Sequence, residues 1–511
     1  MVKSTDEDDR KLIGRRALLG RGATVLSSLA VAQSLLAKPA SAATAKGTKP
    51  NKAGTADGDT FTVVITGESM VYRSFSKRTD PQFLALIDML RNADLAYTHL
   101  ETTIAEPCEL KWASHGAISP AGYLTSEPII AKDMAWAGVD VMSIGQNHAF
   151  DWSEFGLYAT IKHCNEAGIA VAGTGEDLEA ARRPTFFEVP KGRMSLISVA
   201  SGNSAFEWAG LPKGDIPGRP GVNPLRLKTI YEVPADASNA LKAIGKNLNV
   251  LTDAQAAKPE FNITPGGSAG INGFSSFAFR QGDKFAMHTE CHPGDVKDIL
   301  RSVDEASKWS DLAMVAHHNS TSEGTRSTTP SEFVVDFAHK VIDGGADMYI
   351  GHGWHTFLGI EIYKEKPIFY GLGSFFVESQ FMPRVPADQF ESYGFNTDEL
   401  TTLNPASGNL HPGAFFAGAD WEWAPLYKLI YENKKLARIE LYPVEMGYDF
   451  TVDPPKVVRT VGEGENKYLD GSPRLAVGAN AQAILAKMQK INGFRGTKMD
   501  IVGEVGVITV G

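Results

Sequence analysis

Cysteine is nearly absent: three residues in 511, at Cys108, Cys164 and Cys291, none of them in a CxxC pair. That excludes a disulfide framework and leaves room for one bridge at most. Basic excess is missing as well. The formal net charge is −10, and residues 1–59 hold ten Lys/Arg against six Asp/Glu, which leaves the remainder at −14. An acidic body argues against nucleic-acid binding, which needs a basic footprint. No GxxxxGK[ST] loop occurs, so a phosphate-cradling P-loop is not on offer. What is present, 43% hydrophobic and 22% charged residues, suits a folded chain long enough to bury a large core.

The first 59 residues read as an address. Arg15-Arg16 precede the uncharged run Gly22–Ala37, whose 16 residues fall short of the ~20 that span a bilayer. Ala40-Ser41-Ala42 then offers small residues in the pattern that signal peptidase accepts. The arrangement resembles a twin-arginine (Tat) export signal over 1–42, followed by a flexible leader over 43–59. It predicts a periplasmic or secreted protein, with membrane contact only if the signal is retained.

From Phe61 onward, short β-branched runs alternate with amphipathic segments, the rhythm of an α/β domain. Strands are expected at Phe61–Thr66, Asp94–Thr98, Asp140–Ile144, Ile169–Ala172, Ser195–Ala200, Asp311–Ala316 and Asp347–Ile350. Asp80-Pro81 predicts an N-cap and first-turn proline opening a helix. Two loop-rich insertions interrupt the rhythm, at about 201–290 and 379–420. The first is expected to shape substrate access and to lack a core of its own, because Pro, Gly and Asn run through it. Residues 60–450 form the expected domain, with 451–511 as an extension packing on it.

Polar residues sit where these strands end. Glu68 follows the first strand, and His99 and Glu101 the second. Asn147 and His148, His317 and His318, and His352 and His355 follow later ones. In parallel sheets, ligands bind beyond the carboxyl ends of strands, so these loops should converge at one sheet edge. Two carboxylates, an amide and several imidazoles suit Mn, Fe or Zn better than Mg or Ca. Each residue alone has a structural alternative, such as a helix cap, a core histidine or a surface ion pair. Gly351-His352-Gly353-Trp354-His355 is the most specific element, since the glycines permit a tight loop. Within the first insertion, Arg219 and Arg226 could recognise carboxylate or phosphate, or pair with acidic residues inside the protein.

The segments Gly145-Gln146-Asn147-His148 with Asp151, His318-Asn319, Gly351–His355 and Lys366–Phe375 resemble the CapA family of bacterial capsule and poly-γ-glutamate biosynthesis proteins. That resemblance implies a calcineurin-like metallophosphoesterase fold, a β-sandwich flanked by helices in four layers. It implies a site for two divalent ions, held by Glu68, Glu101, Asn147, His318, His352 and His355, with His148 facing the substrate. His99, His317 and Asp151 would be further ligands or would orient ligands. Three positions depart from the family pattern: Glu68 stands for Asp, His99 for Asn, and Trp354 for Pro. The function implied is hydrolysis of a phosphoester or γ-glutamyl amide in an anionic polymer or small molecule. The alternatives are a non-catalytic subunit of the capsule-synthesis machinery and a carbohydrate- or peptide-binding module with structural metals.

Overall fold

The first strand, Thr60–Met70, is buried along almost its whole length, with neighbouring side chains on opposite faces entering different cores. Val63 and Ile65 face one hydrophobic cluster, and Val64 faces another. A strand covered on both sides needs an unbroken apolar run, which is what FTVVIT supplies. The computed structural model describes residues 60–112, 123–263, 277–321, 329–382, 386–387, 421–462 and 468–510. The segments expected to be an export signal and a leader, and nearly all of the second insertion, lie outside the described residues.

Two sheets face each other. In the first, Thr60–Met70, Leu95–Leu100, Val141–Ser143 and Ala170–Ala172 run parallel. Trp423–Glu432, Lys435–Glu445, Val505–Thr509 and Asp500–Val502 extend it antiparallel on the other side. In the second, Gly192–Ser201, Leu312–Asn319, Met348–His352 and Lys366–Leu372 run parallel. Thr185–Val189 and Phe357–Tyr363 close its edges antiparallel.

Between the sheets lie Ile65, Tyr97, Leu196, Met314, Ile350, Phe369, Leu372 and Tyr427, packed together. The helices Pro81–Asn92, Ile129–Trp136 and Ser153–Glu166 cover the outer face of the first sheet through Phe83, Leu86, Ile130, Met134 and Cys164. Pro293–Trp309 and Glu332–Asp343 cover the second through Ile299, Val303, Phe333 and Phe337. The result is a helix–sheet–sheet–helix sandwich of four layers, the architecture expected from the resemblance. The expected cap is present: Asp80 accepts from the Phe83 N–H at 3.2 Å, with Pro81 in the first turn. No described helix is long and apolar enough to cross a membrane. All three cysteines are free.

Two expectations need correction. The first insertion has a framework of its own, a four-stranded sheet of Glu260–Phe261, Phe277–Gln281, Leu227–Val233 and Ala286–Cys291. Leu251, Ala256 and Phe261 form a small core beside it. The apolar residues are spread thinly among turns, so no window showed a periodic run. The polar loops also leave two sheets rather than one edge. Glu68, His99, Glu101, Asn147 and His148 follow strands of the first sheet, while His317, His318, His352 and His355 come from the second.

The stretch after 470 is part of the core. Leu485, Met488 and Ile508 fill the space between the sheets alongside Tyr427.

Candidate metal centre

The pairing of Thr60–Met70 with Leu95–Leu100 shifts register between Ile65 and Glu68. Such an irregularity re-aims a side chain, and here it turns Glu68 into the interior at 1% exposure. Glu68 Oε1 accepts the N–H groups of Gly353 and His355 at 2.8 and 3.1 Å. His355 occupies the left-handed region at φ 57°. Its Nδ1 lies 3.2 Å from Glu68 Oε2 and its Nε2 3.6 Å from Glu101 Oε1. One potential ligand atom each of Glu68, Glu101 and His355 falls within 4.8 Å of the others. His318 Nε2 stands 3.9 Å from Glu101 Oε1. Both glycines flanking His352 are sterically required. A Cβ on Gly351 would meet the Tyr370 carbonyl at 2.4 Å, and one on Gly353 would meet the Asn319 backbone at 2.4 Å.

Behind this group runs a buried chain of hydrogen bonds. His352 Nε2 meets the Tyr97 hydroxyl at 2.6 Å, which meets Ser143 Oγ at 2.6 Å. Ser143 Oγ meets His99 Nδ1 at 2.6 Å, and His99 Nε2 meets His318 Nδ1 at 3.0 Å. The His99 ring lies flat between its neighbours, 4.3 Å from His352 and 5.0 Å from His318. Both His99 nitrogens are therefore engaged, and of its two expected roles this geometry suits the orienting one. Partners of this kind set which nitrogen of a ligating imidazole stays bare.

His317 is turned away. Successive residues of a strand point to opposite faces, so His318 enters the space between the sheets and His317 the outer core. There its nitrogens meet Ser201 Oγ at 2.8 Å and the Tyr349 hydroxyl at 2.7 Å, and its ring packs on Phe333 and Phe337. Burial pushes its pKa down to about 3, so the ring is a neutral core residue. The expectation of a ligand or orienting role at His317 is corrected accordingly.

His148 Nδ1 lies 2.8 Å from Asp151 Oδ2. That oxygen also accepts the Tyr123 and Leu124 N–H groups, each at 2.8 Å, which fixes the carboxylate. Asp151 is thus the orienting partner of His148.

Electrostatics favour a cation. Burial, then the charge of Glu68, holds the Glu101 carboxyl well above the usual range. Burial and neighbouring imidazoles hold His99, His318 and His352 well below theirs. Among the described residues, Glu68 Oε2, Glu101 Oε2, Asn147 Oδ1, His318 Nε2 and His352 Nδ1 are buried and make no hydrogen bond. A buried polar atom left without a partner costs about 1–3 kcal/mol. Oxygen and imidazole donors left bare in this way fit divalent transition ions.

The arginines of the insertion are spent internally. Arg226 grips Asp295 with Nε at 2.7 Å and Nη2 at 2.6 Å. Arg219 donates to the Trp208 and Ala205 carbonyls at 2.9 and 3.1 Å. The reading in which they recognise substrate gives way to an internal one, although for Arg219 the partners are carbonyls rather than acidic residues.

Sequence reasoning passed over Tyr97, Ser143 and Trp421. The first two were legible: Tyr97 shares a strand face with His99, and Ser143 stands opposite His99 in the pairing. Trp421, whose ring lies 4.4 Å from that of His355, follows an insertion that has no pattern to read.

The family described as bacterial capsule synthesis protein PGA_cap matches residues 62–379. An uncharacterized protein of Sinorhizobium fredii, y4sH, is 31% identical over 458 residues, covering 88% of this chain and 93% of its own length. A probable polyglutamine synthesis accessory protein of Mycobacterium tuberculosis is 28% identical over 279 residues, 53% of each chain. The PGA biosynthesis protein CapA of Bacillus subtilis is 31% identical over 83 residues, 16% of this chain and 21% of its own.

Proposed function

The chain belongs to the bacterial capsule synthesis protein family PGA_cap, and from that premise we propose that it is an exported metal-dependent hydrolase of capsule or poly-γ-glutamate metabolism. The bond it cleaves is a phosphoester or a γ-glutamyl amide in an anionic substrate. The observation that carries the reading is the set of bare, buried donor atoms brought together from two sheets. Glu68, Glu101, Asn147, His318, His352 and His355 would hold two divalent ions of Mn, Fe or Zn. Ions so placed supply an activated water and stabilise charge that develops on the scissile group.

The protein's own groups do the rest. Asp151 fixes the His148 ring through Nδ1, so that the ring can pass a proton from Nε2 to a leaving oxygen or nitrogen. Trp421, lying over His355, walls one side of the site against water.

A second reading, a polymer-binding subunit without turnover, draws on the word "accessory" in the name of the mycobacterial relative. Assaying the Mn- and Zn-loaded protein on phosphoesters, γ-glutamyl peptides and poly-γ-glutamate separates the two. Turnover of one class that disappears with chelator is expected. Tight polymer binding with no turnover of any of them would establish the accessory role instead.

Export rests on Arg15-Arg16 ahead of the short apolar run ending at Ala42. Replacing both arginines with lysine should hold the precursor in the cytoplasm, as fractionation and immunoblotting would show; normal export of that variant sinks the assignment.

A further inference from the structure

We propose that Asn203 and Glu207, at the start of the first insertion, are positioning residues for His148; this rests on the hydrolase reading above. Asp151 sets the rotation of the His148 ring, and the two insertion residues set where the turn that carries it stands. Asn203 Nδ2 donates to the Gln146 carbonyl at 3.2 Å and to Glu207 Oε2 at 2.9 Å. Gln146 in turn accepts the His148 N–H on its side-chain oxygen and the Ala149 N–H on its carbonyl, the latter at 3.3 Å. Gln146, His148, Asn203 and Glu207 are all buried.

The insertion end of this contact is itself fixed. Glu207 Oε2 also accepts the Ser204 N–H at 3.0 Å, and the Asn203 carbonyl accepts Trp208 Nε1–H at 3.1 Å. The Glu207 carbonyl accepts the Val222 N–H at 2.8 Å. A Cβ on Gly221 would meet that carbonyl oxygen at 2.2 Å, so the close approach requires glycine there. Trp208 and Val222 pack with Ala149 and Ala200 in one apolar cluster. The insertion thus grips the turn by a polar contact at Gln146 and an apolar one at Ala149, on either side of Asn147 and His148.

Which atoms matter follows from what each can do. The Gln146 carbonyl accepts only, and Glu207 Oε2 already accepts from Ser204, so the Asn203 amide must turn its nitrogen toward both. Glu207 Oε1 is buried and makes no hydrogen bond; Oε2 does the holding. Burial pushes the Glu207 carboxyl up to about 8, so a neutral amide there resembles the group it replaces and offers its oxygen to the same two donors. The contact at Gln146 lies two residues from His148, and displacing a reacting group by about 1 Å costs about 10²-fold in rate.

Asn203→Leu keeps the volume and removes both donors. At saturating Mn²⁺ it should lower kcat by about 10–100-fold and leave KM within about twofold, because the turn shifts while neither insertion residue reaches the substrate. Glu207→Gln keeps an acceptor facing Asn203 and Ser204, and should retain most of the wild-type kcat. Asn203→Ala removes the same two donors, which covers the case of the leucine variant failing to fold.

The experiment compares the full-chain wild type and these variants by hydrogen–deuterium exchange and by steady-state kinetics on the substrate that the wild type turns over. Faster exchange confined to peptides covering residues 145–151 in Asn203→Leu, kcat lost with KM kept, and near wild-type behaviour of Glu207→Gln are the expected results. Exchange in the turn equal to that of the wild type, a raised KM with kcat intact, or a Glu207→Gln variant as impaired as Asn203→Leu overturns the positioning role. A wild type that turns over none of the phosphoesters, γ-glutamyl peptides or poly-γ-glutamate overturns the hydrolase reading, and the exchange comparison still decides whether Asn203 holds the turn.

Discussion

His352→Ala is expected to lose metal while keeping its fold. His352 ends a buried strand with Nδ1 bare and Nε2 held by Tyr97. Its removal takes away a donor that the rest of the site cannot replace, because Gly351 and Gly353 pack too tightly against Tyr370 and Asn319 for the loop to shift. Altering a partner one step behind a ligand already costs roughly 10–100-fold in metal affinity; deleting the ligand should exceed that. Metal analysis of the purified variant should show a clear fall in bound ion, with a circular-dichroism spectrum close to that of the wild type. Unchanged stoichiometry would remove His352 from the site.

His148→Ala should behave in the opposite way. The ring is oriented by Asp151, and Asp151 is itself fixed by two backbone N–H groups. A ring held in this manner presents Nε2 to the site, and the proposed mechanism gives that nitrogen a proton to move. The expected result is a fall in kcat of about 10²–10⁴-fold with metal content intact. Asp151→Asn should show a smaller loss in the same direction, since the asparagine amide holds the His148 ring less firmly. A drop in bound metal for His148→Ala would instead make His148 a ligand and leave the leaving group without its proton source.

The strand-end residues were legible because the chemistry of a parallel sheet concentrates at one end of its strands. Glu68, Glu101, His318, His352 and His355 each follow a recognisable apolar run, and the structure draws them into one neighbourhood. What stayed hidden depends on distance in sequence. Which sheet a strand joins is decided by pairing partners far away, so the division of the site between two sheets had no local sign. Choosing between His317 and His318 needed the register of Leu312–Asn319 against both of its neighbours. The part that Leu485, Met488 and Ile508 play in the central core was equally invisible, because the helix Gly478–Gly493 packs on strands such as Phe357–Tyr363 that lie far before it in sequence. His99 is the instructive case. Its residue type suggested a ligand or a helper, and only the contacts with Ser143 and His318 favour the helper.

Anomalous diffraction from crystals of the protein grown with Mn²⁺ tests the dinuclear centre most directly. Two peaks are expected between the sheets, one contacted by His318 and the other by His355, with Glu101 reaching both. Full-occupancy crystals with no peak among Glu68, Glu101, His318, His352 and His355, or with ions bound only elsewhere on the molecule, would contradict it.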